Sequence, residues 1–243
     1  MTIAVYVSVQ NSALRLLLLN LILSAIRWER PIPKQNRSAF LDNSYQQATQ
    51  FLSEIDKDWA RLITLVGPCT YEPEAECEPY EALLRAVAYQ QLHARAAEAI
   101  LGRLLNLYSG HMPAPAQLVA GEFEALRACG FSARKIETLR GIAEGALSGV
   151  VPERSKADAM ASEELIERLV KLKGIGRWTV EMLLIFTLAR LDVLPADDFG
   201  VREGYKRLKN LDKAPTPKVL AQLGQAWSPY RTIAAWYLWR VPR

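Results

Sequence analysis

Residues 177–190 are apolar on nearly every face, with Trp178, Val180, Met182, Leu183, Leu184, Ile185, Phe186 and Leu188 in close succession. A helix without a polar side must be covered all round, so this segment predicts the spine of a helical bundle. The rest of the chain supplies the cover. From Asn43 onward apolar residues recur with helical period, Gly and Pro interrupt at short intervals, and alternating runs of β-branched residues are almost absent. The expectation is an all-α domain with helices at 44–65, 80–92, 94–108, 116–120, 122–128, 133–147, 163–171, 177–190, 199–208, 217–226 and 229–239. Ser162 before Glu163-Glu164 and Thr216 before Pro217 read as helix starts.

Composition narrows the chemistry. Thirty Lys and Arg stand against 26 acidic residues, a net charge of +4, which permits a polyanionic partner without demanding one. Cys69, Cys77 and Cys129 form no C-x-x-C pair, so neither a disulfide framework nor a zinc site is expected, and a cytoplasmic location follows. With only His93 and His111, a histidine-rich metal site is excluded as well.

Residues 1–40 differ from the remainder. A leucine-rich run at 14–26 is broken by Arg15 and Asn20 and followed by the turn-prone Pro31-Ile-Pro-Lys-Gln-Asn-Arg-Ser38. The run falls short of the roughly 18–20 apolar residues that span a bilayer, and it lacks a basic leader and a small-residue cleavage site. It reads as a poorly ordered extension, or as translation from a start placed too far upstream, with a membrane-associated helix as the alternative. The folded unit is then 41–243.

Just before the spine stands Leu172-Lys-Gly-Ile-Gly-Arg-Trp-Thr179. Gly174 and Gly176 allow positive φ and close approach of the backbone, and N–H groups at a new helix start attract anions. A tight connection between two helices needs nothing more than this, so the turn alone says little about function. About twenty residues later comes Leu191-Asp-Val-Leu-Pro-Ala-Asp-Asp-Phe-Gly-Val-Arg202, a proline-containing loop that delivers two carboxylates to the start of another helix.

Together the hairpin (163–190) and the Pro-Asp loop (191–198) resemble the signature of helix-hairpin-helix base-excision DNA glycosylases. The resemblance runs from about Tyr80 to Trp239 and is nearest to the 3-methyladenine DNA glycosylase II branch, in its short yeast-like form. It implies a two-lobed helical bundle with a DNA-binding cleft between the lobes, with the hairpin and Asp198 at its mouth. By this resemblance Asp198 is the essential aspartate, while Asp197 reads as a helix N-cap. A carboxylate suits the task, because breaking an N-glycosidic bond builds positive charge on the sugar. An N3- or N7-alkylated purine already carries positive charge and leaves without a strong general acid.

The resemblance also assigns supporting roles. Trp178 and Trp236 are the expected base-binding aromatics, whereas Trp59, Trp227 and Trp239 read as core. Relatives that nick DNA carry a lysine nucleophile where this chain has Trp178, and many hold a four-cysteine iron–sulfur loop, for which no cysteine follows Cys129. A monofunctional enzyme without a lyase step is therefore expected. In Tyr89-Gln-Gln-Leu-His-Ala-Arg-Ala-Ala97 the plug that fills the gap left by a flipped base is Leu92 or His93, which without the resemblance read as a core leucine and a solvent-facing histidine. The amides of Gly174, Gly176 and Thr179 are the expected phosphate receptors. The carbonyls of Val170, Leu172 and Ile175 are the expected ligands of a monovalent Na or K ion, and no other cofactor is expected. Lys173, Arg177, Arg202, Lys206, Arg207 and Lys209 either line a phosphate track or form solvated helix faces. The expected partner is double-stranded DNA with alkylated bases, met by a monomer that is nucleoid-associated in a bacterium. A non-catalytic helix-hairpin-helix module and a glycosylase for another damaged base are the alternatives; the former needs neither the aspartate nor an aromatic pocket.

Overall fold

The computed structural model describes residues 37–74 and 77–242, with side chains from residue 44 onward. The leucine-rich run at 14–26, expected as a poorly ordered extension, lies outside the described residues. Among those described there are helices and no strand, and no helix is long and apolar enough to cross a membrane.

In chain order the helices are α1 (Arg37–Ser53), α2 (Lys57–Val66), α3 (Pro79–Tyr89), α4 (Ala94–Leu107), α5 (Pro115–Ala120), α6 (Phe123–Ala128), α7 (Ala133–Leu147), α8 (Arg154–Ala159), α9 (Ser162–Leu169), α10 (Arg177–Met182), α11 (Phe199–Leu208), α12 (Pro217–Leu223) and α13 (Arg231–Leu238). They form two groups. Helices α3, α5 and α6 pack on α7 and α4 packs on α3, whereas α1, α2, α11 and α13 pack on one another. Between the groups runs the expected spine, where Val180, Leu184 and Ile185 are fully buried.

Several elements depart from the sequence expectation. The single helix at 44–65 is two, because Asp56 breaks it: its side chain accepts from the N–H groups of Asp58 (2.9 Å) and Trp59 (3.1 Å) and starts α2 afresh. Helix α8 was not among the helices expected from sequence. Ser162 does not cap α9 but begins it, after an Ala161 that makes no side-chain cap bond. Thr216 does cap α12, accepting from Val219 N–H.

The spine is also not a regular helix to Arg190. After Met182 it widens into a π-helical turn, Leu183–Thr187. The last carbonyls of any helix lack intrahelical donors, and here they are met from outside. Tyr71 donates its hydroxyl to the Ile185 carbonyl, and the Glu74 amide donates to that of Phe186 at 2.7 Å. Beyond the spine, Thr232 fixes the following loop to α13: its hydroxyl donates to Arg190 O (2.6 Å) and accepts from Val193 N (3.1 Å). Arg231 adds a two-nitrogen bond to Asp192.

Helices α11 and α13 meet almost backbone to backbone. A Cβ added at Gly204 would lie 2.0 Å from the carbonyl oxygen of Leu238, and only glycine permits that approach. Gly204→Ala is therefore expected to separate the two helices and cost about 1–3 kcal/mol or more, read as a lower urea midpoint in equilibrium unfolding.

Candidate active site

The hairpin places its two glycines for different reasons. Gly174 has φ +86°, and a Cβ there would fall 2.3 Å from the Thr138 hydroxyl on α7, so both handedness and packing exclude a side chain. Gly176 is extended and exposed, with nothing within 4 Å of a Cβ position. Its openness leaves room for a ligand against the start of α10. Among the described residues, the N–H groups of Gly174 and Gly176 have no hydrogen-bond partner. Thr179 is different and corrects the expectation. It is buried, and its N–H already donates to Gly176 O at 3.0 Å, because by the third helical residue the first turn has closed.

Asp198 is recessed, not at the mouth: it is 3% exposed. It also takes the cap role that the sequence suggested for Asp197, which is exposed. One oxygen, Oδ1, accepts from Val201 N–H at 2.8 Å and from Trp239 Nε1–H at 2.9 Å. The other, Oδ2, accepts from Trp178 Nε1–H at 2.8 Å. Three donors thus fix an acceptor-only group. The bond to Trp178 also joins the two sequence motifs directly, hairpin to Pro-Asp loop.

The aromatic surroundings include Trp178 but otherwise differ from the sequence expectation. Trp239 packs against Phe186 with centroids 5.9 Å apart and planes at 22°; Tyr71 meets Phe186 edge-on at 6.1 Å and Tyr45 at 5.6 Å. Trp178 and Phe186 are half-buried, so this wall has open surface beside a buried carboxylate. Trp236 is not part of it. Its ring is 4% exposed, lies edge-on to Tyr237, and carries the Arg240 guanidinium 3.7 Å over its centroid. The aromatics at the aspartate are Trp178 and Trp239, the latter one helical turn beyond Trp236.

The α3–α4 turn lies beside the hairpin. Leu92 is half-buried against the core, and His93 is exposed at the start of α4 with no side-chain cap bond. Between them and α3 stands Gln91, exposed and at φ +59°, an uncommon backbone for a non-glycine residue. Sequence reading passed over Gln91, and no residue type there signals it. Gln90 reaches the hairpin, donating Nε2–H to Gly174 O at 3.3 Å.

The basic residues are largely engaged within the protein. Lys173 pairs with Glu137, Lys209 with Asp56 and Asp58, and Lys206 with Glu203. Arg202 donates to Pro215 O and Arg207 to Glu203 O. Arg177 grips both oxygens of Glu163 at 2.8 Å and Glu181 at 3.0 Å. No track of unpaired cations follows from these six.

Residues 84–229 match the family described as HhH-GPD superfamily base excision DNA repair protein. The chain belongs to this superfamily. Within the HhH-GPD proteins it is 49% identical over 204 residues to DNA-3-methyladenine glycosylase 1 of Schizosaccharomyces pombe, covering 82% of this chain and 89% of that one. A solved structure titled as the Schizosaccharomyces pombe 3-methyladenine DNA glycosylase in complex with abasic DNA superposes with TM-score 0.72 and 50% identity, covering 80% of this chain and 95% of that chain. A DNA-3-methyladenine glycosidase from Bacillus halodurans matches with TM-score 0.72 and 36% identity, covering 79% and 88%. The all-helical HhH-GPD fold expected from sequence is thus the observed one.

Two carboxyls near this architecture carry a pH signature. Burial pushes Glu181 up to about 7, against the pull of Arg177, and burial likewise raises Glu74 to about 7. A carboxyl raised on folding binds its proton more tightly in the native state, so it adds stability below about 4.5 that is lost as pH rises through about 7. Lowered carboxyls act in the other direction and below that window: Arg177 holds Glu163 down and Lys173 holds Glu137 down. The urea midpoint is expected to fall between pH 5 and pH 8, and Glu181→Gln to shrink that fall.

Proposed function

We propose that this chain is a monofunctional DNA glycosylase that cuts the N-glycosidic bond of alkylated purines, 3-methyladenine first among them, in duplex DNA during base excision repair. The observation that carries the reading is Asp198, buried and fixed by two indole N–H groups beside a partly open aromatic wall. The relatives named 3-methyladenine glycosylases support the choice of lesion.

The chemistry follows from charge. An N-alkylated purine is cationic, so the electron pair of the C1′–N bond leaves with the base and neutralises it. Positive charge passes to the sugar, where the Asp198 carboxylate stabilises it at short range in a water-poor site. Water then adds its oxygen to C1′ and gives up a proton, leaving an abasic sugar and an intact strand. Trp178 and Phe186, both half-buried, offer π faces to an electron-poor base, worth about 0.5–2 kcal/mol each, and the buried Trp239 backs Phe186. No amine stands where lyases place theirs: that position is Trp178, whose N–H is committed to Asp198.

Binding rests on the backbone. The N–H groups of Gly174 and Gly176 at the start of α10 suit a DNA phosphate. A monovalent cation fits beside them, because Val170, Leu172 and Ile175 lie where α9 has ended; the Leu172 carbonyl already accepts from Ile175 N–H at 3.1 Å, leaving a lone pair. The carbonyls of Val170, Leu172 and Ile175 would hold such an ion, which would supply positive charge for a DNA phosphate. The turn Gln91–Leu92–His93 is the element that enters the stack, and Gln91 joins Leu92 and His93 as a residue able to fill the gap.

Asp198→Asn is expected to bind methylated duplex as the wild type does but to lose about 10²–10³-fold in single-turnover base release. Equal release by both proteins would remove Asp198 from the mechanism. Trp239→Phe keeps a ring against Phe186 but removes one donor to the carboxylate; release is expected to slow about 10- to 100-fold, whereas Trp236→Phe stays near wild type in the same assay.

A further inference from the structure

Helix α7 and Gln90 together tie the α3–α4 turn to the hairpin. Lys135, on α7, is half-buried and donates through Nζ to the carbonyls of Ala88 and Gln90, both at 2.9 Å. These are carbonyls at the end of α3, which its own helix leaves without donors and where a cation is favoured. Gln90 in turn donates from its amide to Gly174 O in the hairpin. One turn along α7 from Lys135, Thr138 backs Gly174 so closely that no side chain fits between them. Helix α7 thus holds the α3–α4 turn with Lys135 and the hairpin with Thr138, and Gln90 closes the third side.

We propose that Lys135 is a positioning residue for nucleotide flipping: through Gln90 it sets the depth of the Gln91–His93 turn relative to the hairpin that grips the phosphates. A rigid triangle explains how a grip on the backbone, which carries no information about the base, places the inserted turn at the correct height. A simple helix cap would affect stability alone. The proposal rests on the glycosylase reading.

The test uses the full chain and a duplex containing one 7-methylguanine flanked by 2-aminopurine, whose fluorescence rises when stacking is lost. Lys135→Met is expected to bind the duplex within about threefold of wild type, yet to release base about 10- to 100-fold more slowly and to lose most of the fluorescence rise. Lys135→Arg, which can still donate to both carbonyls, restores most of both. Should Lys135→Met fail to fold, Gln90→Ala breaks the same triangle from its other side and is expected to give the same split. Release and fluorescence equal to wild type in a folded Lys135→Met overturn the proposal, as does a loss of release that only tracks a loss of thermal stability and is not restored by Arg. A wild type that releases no base defeats the glycosylase reading itself, whereas an active wild type matched by Lys135→Met defeats only the role of Lys135.

Discussion

Two indole N–H groups hold one carboxylate, and much of the molecule is arranged to bring them there. Trp178 comes from the first turn after the hairpin, Trp239 from the end of the last helix, and Asp198 from the cap of α11 between them. A buried carboxylate is costly unless its oxygens are satisfied. Here the satisfying donors are neutral, so the negative charge is oriented without being cancelled by an ion pair. Under the proposed mechanism that distinction matters, because the group faces a developing cation. The close contact of Gly204 with Leu238 and the fastening of the 191–193 loop by Thr232 and Arg231 serve the same end.

The spine explains how the two helical groups share one site. Its π-helical turn carries Phe186 onto Trp239, and its end carbonyls are taken up by Tyr71 and Glu74 from the segment before α3. Widened turns recur at functional sites, where they re-aim side chains. Glu181, on the same spine, is buried beneath Arg177, whose charge is held mainly by Glu163 outside. The residue that begins α10 is thereby neutralised locally, which leaves the backbone N–H groups there as the proposed phosphate receptor.

Much of this was legible because it is local. The Gly-Ile-Gly turn, the Pro-Ala-Asp-Asp loop and the apolar spine are contiguous strings whose conformational meaning depends on neighbours in sequence. What failed depends on which side of a buried element faces which neighbour. Trp236 and Trp239 lie three residues apart on a helix buried from Thr232 to Leu238; with no polar face to orient it, periodicity cannot say which indole meets Asp198. Thr179 was misread as an open amide because the exact start of α10 decides whether its N–H is used. Gln91 and Lys135 left no sequence trace, since one matters through a backbone angle and the other through a partner 45 residues away.

In the proposed mechanism a carboxylate stabilises the sugar cation and no amine nucleophile takes part. The most direct measurement is product analysis on methylated duplex DNA, with free base and strand nicks scored separately, before and after hot alkali and with borohydride present. Free 3-methyladenine, strands intact until alkali and no borohydride-trapped protein–DNA adduct are the expected result. Nicks before alkali together with a trapped adduct, or tight DNA binding with no base released, would contradict it.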